Sequence, residues 1–322
     1  MTAGRETGDA ALPPRYRPAM AAPETRHSTL VAFAMGTLGI ALFSCMDALM
    51  KGLSLSIGTY NGLLWRTLAG TILAGLFFFG HRSPWPGQGA MRVHLTRGIL
   101  SIFMAFTFFW GLARVPMAQA IALAFVAPLI ALYLAALLLK EKIERRAILA
   151  SLLGFAGVLV IFLGQAEADL GPDAFRGSIS ILISAALYAY NIILMRRQAL
   201  LAKPVEVAFF TSGIMCLGFL AAAPFLAVVP PAGELPEILT AALLAFLSLL
   251  CLSWAYARAE AQHLAPVEYT SFLWASVLGW LVFREEVQPL TFAGAAMIVV
   301  ACLIAATRRP PPDPDVEHGV HA

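Results

Sequence analysis

Apolar runs of about 20 residues follow one another along nearly the whole chain, separated by short polar breaks. They fall near residues 30–50, 60–80, 93–113, 117–139, 147–164, 174–195, 205–228, 237–257, 264–283 and 289–307. A hydrocarbon core ~30 Å thick is crossed by roughly 20 residues of α-helix. The pattern therefore predicts an all-α membrane protein with ten transmembrane helices. Breaks such as Arg114-Val115-Pro116 are too short for anything but tight helical hairpins. Pro128, inside the fourth run, lacks an N–H and predicts a kink that frees backbone carbonyls. The first run is too long for the apolar part of a signal peptide. It leads into Asp47 and Lys51 where a cleavage site would need small residues, so it stays as the first span. Residues 1–28 and 308–322 are polar and hold several Arg and Pro; they cannot bury enough apolar surface to fold and are expected to be disordered tails.

Within these runs the chain repeats itself. Trp110, Arg114, Leu129, Leu137 and Glu141 recur 144 residues later as Trp254, Arg258, Leu273, Leu281 and Glu285. Ala41, Leu42, Leu49 and Met50 match Ala186, Leu187, Leu194 and Met195 at an offset of 145, with Lys51 facing Arg196. The copies are residues 29–165 and 174–307, with five spans in each. An odd number of spans puts the second copy into the membrane upside down, so the ten helices read as two inverted five-helix repeats. Halves of opposite facing suit alternating access around a site near the midplane, which makes secondary transport the first expectation.

Composition agrees: 60% hydrophobic and 13% charged residues, with a mean hydropathy of +0.78, lie outside soluble-domain usage. Of the 22 Lys and Arg, sixteen fall in the segments on one side of the ten-span layout and four on the other, with Arg66 and Arg97 inside spans. Positively charged loops stay cytoplasmic, so both termini are expected in the cytoplasm. The net charge of +3 reflects this bias and is no nucleic-acid footprint. Neither a Walker-type loop nor an HExxH, GxSxG or CxxC pattern occurs. His27, His81, His94, His263, His318 and His321 are scattered without ligand spacing, and Cys45, Cys216, Cys251 and Cys302 read as packing residues within spans. No metal, cofactor or catalytic centre is expected. Two alternatives to a transporter remain from other classes, a non-transporting scaffold or sensor and a membrane-embedded enzyme. An enzyme should show clustered catalytic residues at one membrane face, and none is visible.

Function is best sought in the ionisable groups inside spans, Asp47, Arg66, Arg97 and Glu268, because a charge at mid-bilayer costs at least ~2.5 kcal/mol unless paired or facing a cavity. Asp47 and Lys51 have i,i+4 spacing, and Arg66 could also meet Asp47 across helices; these three form a gate, a coupling site or a structural ion pair. In the second repeat Ile192 and Thr211 stand where the first has Asp47 and Arg66. Glu268 follows Pro266 by a short step into the ninth span, and its counterpart is Ala124. A carboxylate there could bind a cationic amine or carry a proton; the alternative is a pair with Arg258 or His263. Tyr269 and Trp274 lie near it, and with Tyr188, Asn191 and Ser44 they could line a cavity or simply pack between helices. Trp110 and Trp254 lie near span ends, where such rings anchor to headgroups.

The segment Met46-Asp47-Ala48-Leu49-Met50-Lys51 with Trp65-Arg66, the run from Glu268 to Trp274, and the loop Lys140-Glu141 echoed by Arg284-Glu285 resemble the drug/metabolite transporter superfamily, specifically its EamA-type members. The resemblance covers about residues 30–307. It implies a bacterial inner-membrane transporter for amino acids, S-adenosylmethionine, riboflavin, opine-type metallophores or organic cations, with spans one, three, four, six, eight and nine around the pathway. The expected partners are a small metabolite, the lipid bilayer and, for Glu268, a proton; a homodimer is left open.

Overall fold

The computed structural model of the chain describes residues 26–139, 145–167, 171–199, 201–256 and 261–306. The helices are α1 (Arg26–Leu53), α2 (Thr59–Gly80), α3 (Gln88–Leu112), α4 (Met117–Ala124), α5 (Ala127–Leu139), α6 (Arg145–Glu167), α7 (Gly171–Ala199), α8 (Pro204–Leu226), α9 (Leu235–Tyr256), α10 (Ala261–Phe283) and α11 (Pro289–Ala306). Among the described residues there is no strand. Most of the two expected tails, together with Lys140, Glu141, Arg258 and Glu260, lies outside the described residues.

Five stretches are long and apolar enough to cross a membrane: Val31–Gly80, Gln88–Leu112, Gly171–Met195, Pro204–Leu226 and Ala232–Ala255. Four shorter ones are equally apolar in character: Met117–Ala131, Ile148–Gly164, Val267–Phe283 and Pro289–Ile304. Nine stretches stand where ten runs were read, because Val31–Gly80 spans both α1 and α2. A straight helix of its 50 residues would be ~75 Å long, more than twice the thickness of a bilayer core. A π turn at Ser54–Gly58 ends α1, and Gly58 then takes φ 83 and ψ 149. Only glycine adopts that conformation readily, so the chain changes direction there.

The fourth run is broken as Pro128 requires. Ala124 ends α4 and Ala127 begins α5. Pro128 has no N–H for the Ala124 carbonyl, Leu129 N donates to Val126 O at 3.1 Å, and the Phe125 carbonyl accepts from Cys302 Sγ of α11 at 3.3 Å.

Packing pairs α1 with α9 and α10, α3 with α7 and α8, α2 with α8 and α9, α4 and α5 with α7, α4 with α10, and α6 with α11. Small residues allow the closest crossings. A Cβ on Gly157 would lie 2.7 Å from the Gly294 carbonyl oxygen, and one on Gly294 2.5 Å from that of Gly157, so α6 and α11 meet backbone to backbone. Large apolar side chains such as Leu76, Phe103, Leu152, Leu217 and Trp280 point outward, as expected of a surface solvated by lipid.

Contacts between helix ends fix two ends of the bundle. Lys51 at the end of α1 meets Val115 before α4 and Glu285 after α10, and Gly111 near the end of α3 meets Gly177 at the start of α7. At the other end His94 in the first turns of α3 meets Gln198 in the last turn of α7 and Glu206 in the first turn of α8.

Candidate translocation site

At the first of these ends one cation ties the helix ends together. Lys51 is buried; its Nζ donates to the Val115 carbonyl at 2.6 Å and to Glu285 Oε1, and lies 5.2 Å from the centre of the Phe283 ring. The second oxygen of Glu285 accepts from Met117 N at 2.7 Å. That N–H opens α4, where Pro116 has no side chain able to cap it, so Glu285 supplies the negative charge that a helix N-terminus favours. Arg284 takes a left-handed φ of 57 to fold the carboxylate back, and a Cβ on Gly279 would lie 2.8 Å from Glu285 Oε2. The pair thus ties together α1, the α3–α4 connection and the α10–α11 connection.

The i,i+4 spacing permits Lys51 to pair with Asp47, but its partner is Glu285, a residue of the repeated loop. Asp47 is 2% exposed, and its Oδ1 has no hydrogen-bond partner, nor has Nε of Arg66. The two groups are within electrostatic reach of each other but make no ion pair within 4.0 Å. The Arg66 guanidinium lies 5.8 Å from the ring of Phe109 instead. Ser44, one turn from Asp47, is buried.

Deeper in, burial changes in an informative way. Glu268 stands on the face of α10 that also carries Phe272, Ala275 and Gly279 at i+4, i+7 and i+11, all buried, yet Glu268 is exposed. Tyr188 shares its face of α7 with buried Ile181, Ser184 and Asn191 but keeps 37% of its surface accessible, and Met195, two turns on, keeps 39%. On α1, Phe43 is 43% exposed between buried Gly39, Met46 and Asp47. Exposure on the inward face of a packed helix means that the face borders a space inside the bundle. Tyr188 is within electrostatic reach of both Glu268 and Arg97. Toward the Lys51 end the same faces are shut: Met50 and Leu53 on α1, Ser178 and Ile181 on α7, and Ala275 on α10 are buried.

The remaining expected residues divide. Asn191 is buried and its Oδ1 accepts from Arg97 Nε at 3.1 Å. Tyr269 meets the Phe125 ring edge-on at 5.3 Å, against the break between α4 and α5. Trp274 does not join them: it lies on the side of α10 that carries exposed Leu273, Val277 and Leu281, away from the buried face. Arg258 lies outside the described residues, as does the side chain of His263.

Sequence reasoning missed a second polar cluster at the accessible end. His94 Nε2 lies 3.0 Å from Glu206 Oε1, His94 Nδ1 lies 2.6 Å from Gln198 Nε2, and Gln198 Oε1 accepts from Arg97. His94 of α3 lies 104 and 112 positions from Gln198 of α7 and Glu206 of α8, and a lone histidine carries no pattern to flag it.

The description of this bundle is matched in sequence twice over. The EamA-like transporter family matches residues 29–163 and again 175–307. The chain belongs to that family. Relatives include a pseudopaline exporter of Pseudomonas aeruginosa strain UCBPP-PA14, 26% identical over 273 residues that cover 84% of this chain and 93% of the relative. An S-adenosylmethionine uptake transporter of Rickettsia felis is 23% identical over 266 residues, covering 83% and 89%. A solved crystal structure that is 20% identical and covers 88% of this chain and 97% of its own superposes with a TM-score of 0.59, so the fold is shared. The protein is a multi-pass membrane transporter for small molecules and not an enzyme.

Proposed function

We propose that this transporter carries a small zwitterionic or amphipathic metabolite across the bacterial inner membrane by alternating access, and that the structure represents its state open to the cytoplasm. One observation carries the reading: Phe43, Tyr188, Met195 and Glu268 lie on inward faces and are accessible, while the same faces are shut toward Lys51. The positive bias of the loops assigns the accessible end to the cytoplasm.

The packing pattern supports ten spans in two inverted repeats, residues 29–165 and 174–307, with α4 and α5 counted as one broken span. Exchanging each span with the one five places later turns α1 on α9 into α7 on α3, and α1 on α10 into α7 on α4 and α5. The contact of α2 with α9 becomes that of α8 with α3, while α2 on α8, α4 on α10 and α6 on α11 return to themselves. A bundle with that symmetry has a second arrangement in which the halves trade roles, which is the structural requirement of alternating access.

The chemistry of the space suits a cargo with both signs of charge. Glu268 offers a carboxylate to an ammonium or other cation, Arg97 retains donors beyond those given to Asn191 and Gln198, and Tyr188 offers a ring face between them. Pseudopaline and S-adenosylmethionine, the cargoes named for the relatives, are the first compounds to try. Purified protein in liposomes preloaded with cargo should exchange it for labelled compound, and Glu268→Gln should abolish the exchange while eluting and unfolding like the parent protein. Undiminished exchange by that variant would remove Glu268 from the site.

A further inference from the structure

Beyond the transport space, the structure assigns a proton site that controls it: we propose that a proton taken up at His94 Nδ1 reverses the Gln198 amide and removes the acceptor that holds Arg97. The inference rests on the reading of Arg97 as a lining group of the transport space.

The direction of each hydrogen bond is fixed by chemistry. An arginine side chain has donors and no acceptor, so the atom of Gln198 facing Arg97 must be Oε1. The amide nitrogen then faces His94 Nδ1, at 2.6 Å, and must donate to it. Nδ1 is consequently an acceptor without a proton, and the imidazole hydrogen sits on Nε2, where Glu206 Oε1 receives it at 3.0 Å. The buried ring is held in place by stacking on Phe210, with centroids 4.9 Å apart. One chain of directed bonds therefore runs from Glu206 through His94, Gln198 and Arg97 to Asn191, and Arg97 is also within electrostatic reach of Tyr188.

A proton added from water to Nδ1 turns that atom into a donor, and the nitrogen of Gln198 opposite it is a donor as well. The arrangement is satisfied again when the amide rotates by half a turn, so that Oε1 accepts from His94 and the NH2 group faces Arg97. Two donors then confront each other at Arg97, which must leave Gln198 and find its acceptor elsewhere, in the space beside Tyr188. No covalent bond other than the N–H is made, and the added charge is on the imidazolium, next to Glu206. The groups that face His94 are Glu206 and the Phe210 ring from α8, Gln198 from α7, Trp85 behind Phe210 from the α2–α3 connection, and Arg97 one turn along α3. Among the described residues, Glu206 and Arg97 are the charged groups on this chain.

The test uses the full chain in lipid nanodiscs, with 15N-labelled histidine and 3-fluorotyrosine at Tyr188, and the proton itself as probe. Near neutral pH the His94 signals should show hydrogen on Nε2 and none on Nδ1. On acidification Nδ1 should gain a proton, and the fluorine resonance should shift in step. Gln198→Leu should leave His94 titrating but remove that shift, and His94→Gln should abolish it. Gln198→Glu, which offers acceptors to both neighbours at every pH, should give the same loss and serves where Gln198→Leu does not fold. A proton already on Nδ1 at neutral pH, or a fluorine shift unchanged in the Gln198 or His94 variants, would overturn the proposal. Because no cargo is used, the result is independent of whether Glu268 and Arg97 bind a metabolite.

Discussion

Lys51→Met would leave the Glu285 carboxylate in a largely apolar setting with only Met117 N to satisfy it, and would orphan the Val115 carbonyl. Losing one member of a buried pair costs roughly 3 kcal/mol or more, so the sealed end should loosen. We expect a lowered unfolding midpoint and faster labelling, by an impermeant maleimide from the periplasmic side, of a cysteine placed at Met46 in a background without the four native cysteines. The double change Lys51→Met with Glu285→Gln should recover part of the stability, since no unpaired charge is left. An unaltered midpoint and labelling rate in Lys51→Met would show that the pair does not hold this end. The same residues show how far local spacing can mislead. Asp47 and Lys51 have the interval of an i,i+4 pair, but the Lys51 side chain runs to a carboxylate 234 positions away. A signal for it existed: Lys51 and Glu285 each have a like counterpart in the other repeat, Arg196 and Glu141, whereas Asp47 has none. Residues kept in both copies are those that brace the halves, and a pairing between two of them was the reading to try.

At the scale of elements, the break between α4 and α5 is built by one residue. Pro128 removes the donor for the Ala124 carbonyl, and Tyr269 and Cys302 pack against Phe125 at the break. Pro128→Ala restores the donor and permits a continuous helix, so the variant is expected to unfold at an equal or higher temperature while transport turns over more slowly. Faster transport with an unchanged midpoint would argue that the break has no part in the conformational cycle. This break was legible in the sequence because proline acts on its own helix. The direction change at Gly58 falls in the gap between the runs read at residues 30–50 and 60–80, and there a π turn and the backbone angle of one glycine divide the 50-residue apolar stretch into two helices. Trp274 illustrates the opposite limit. Its nearness to Glu268 in sequence suggested a shared cavity, but six residues along a helix turn a side chain by about 240° from its starting direction.

For the whole molecule, the reading requires both chain ends in the cytoplasm. Green fluorescent protein fused after Ala322 should fluoresce, and alkaline phosphatase fused at the same place should be inactive; the reverse result would turn the bundle over and reassign the accessible end to the periplasm. Either outcome leaves the packing symmetry untouched, because exchange of the halves is a property of which helices meet. The asymmetry lies in the groups without a counterpart. Asp47 is buried and Arg66 half-buried, each with an unsatisfied atom, whereas Glu268 is exposed.

The sequence by itself determined that the chain is helical, membrane-embedded and duplicated, because apolar length, charge bias and internal repetition are all written along one dimension. It also singled out Glu268, Tyr188 and Asn191, since a polar group within an apolar run is conspicuous wherever the run goes. That Tyr188 comes within electrostatic reach of Glu268, that Trp274 turns away from the buried face of its helix, that Lys51 meets Glu285, and that His94 links Glu206 to Gln198 and so to Arg97 were decided only by the tertiary structure. Those contacts link residues tens to hundreds of positions apart, and each depends on which face of one helix meets which face of another.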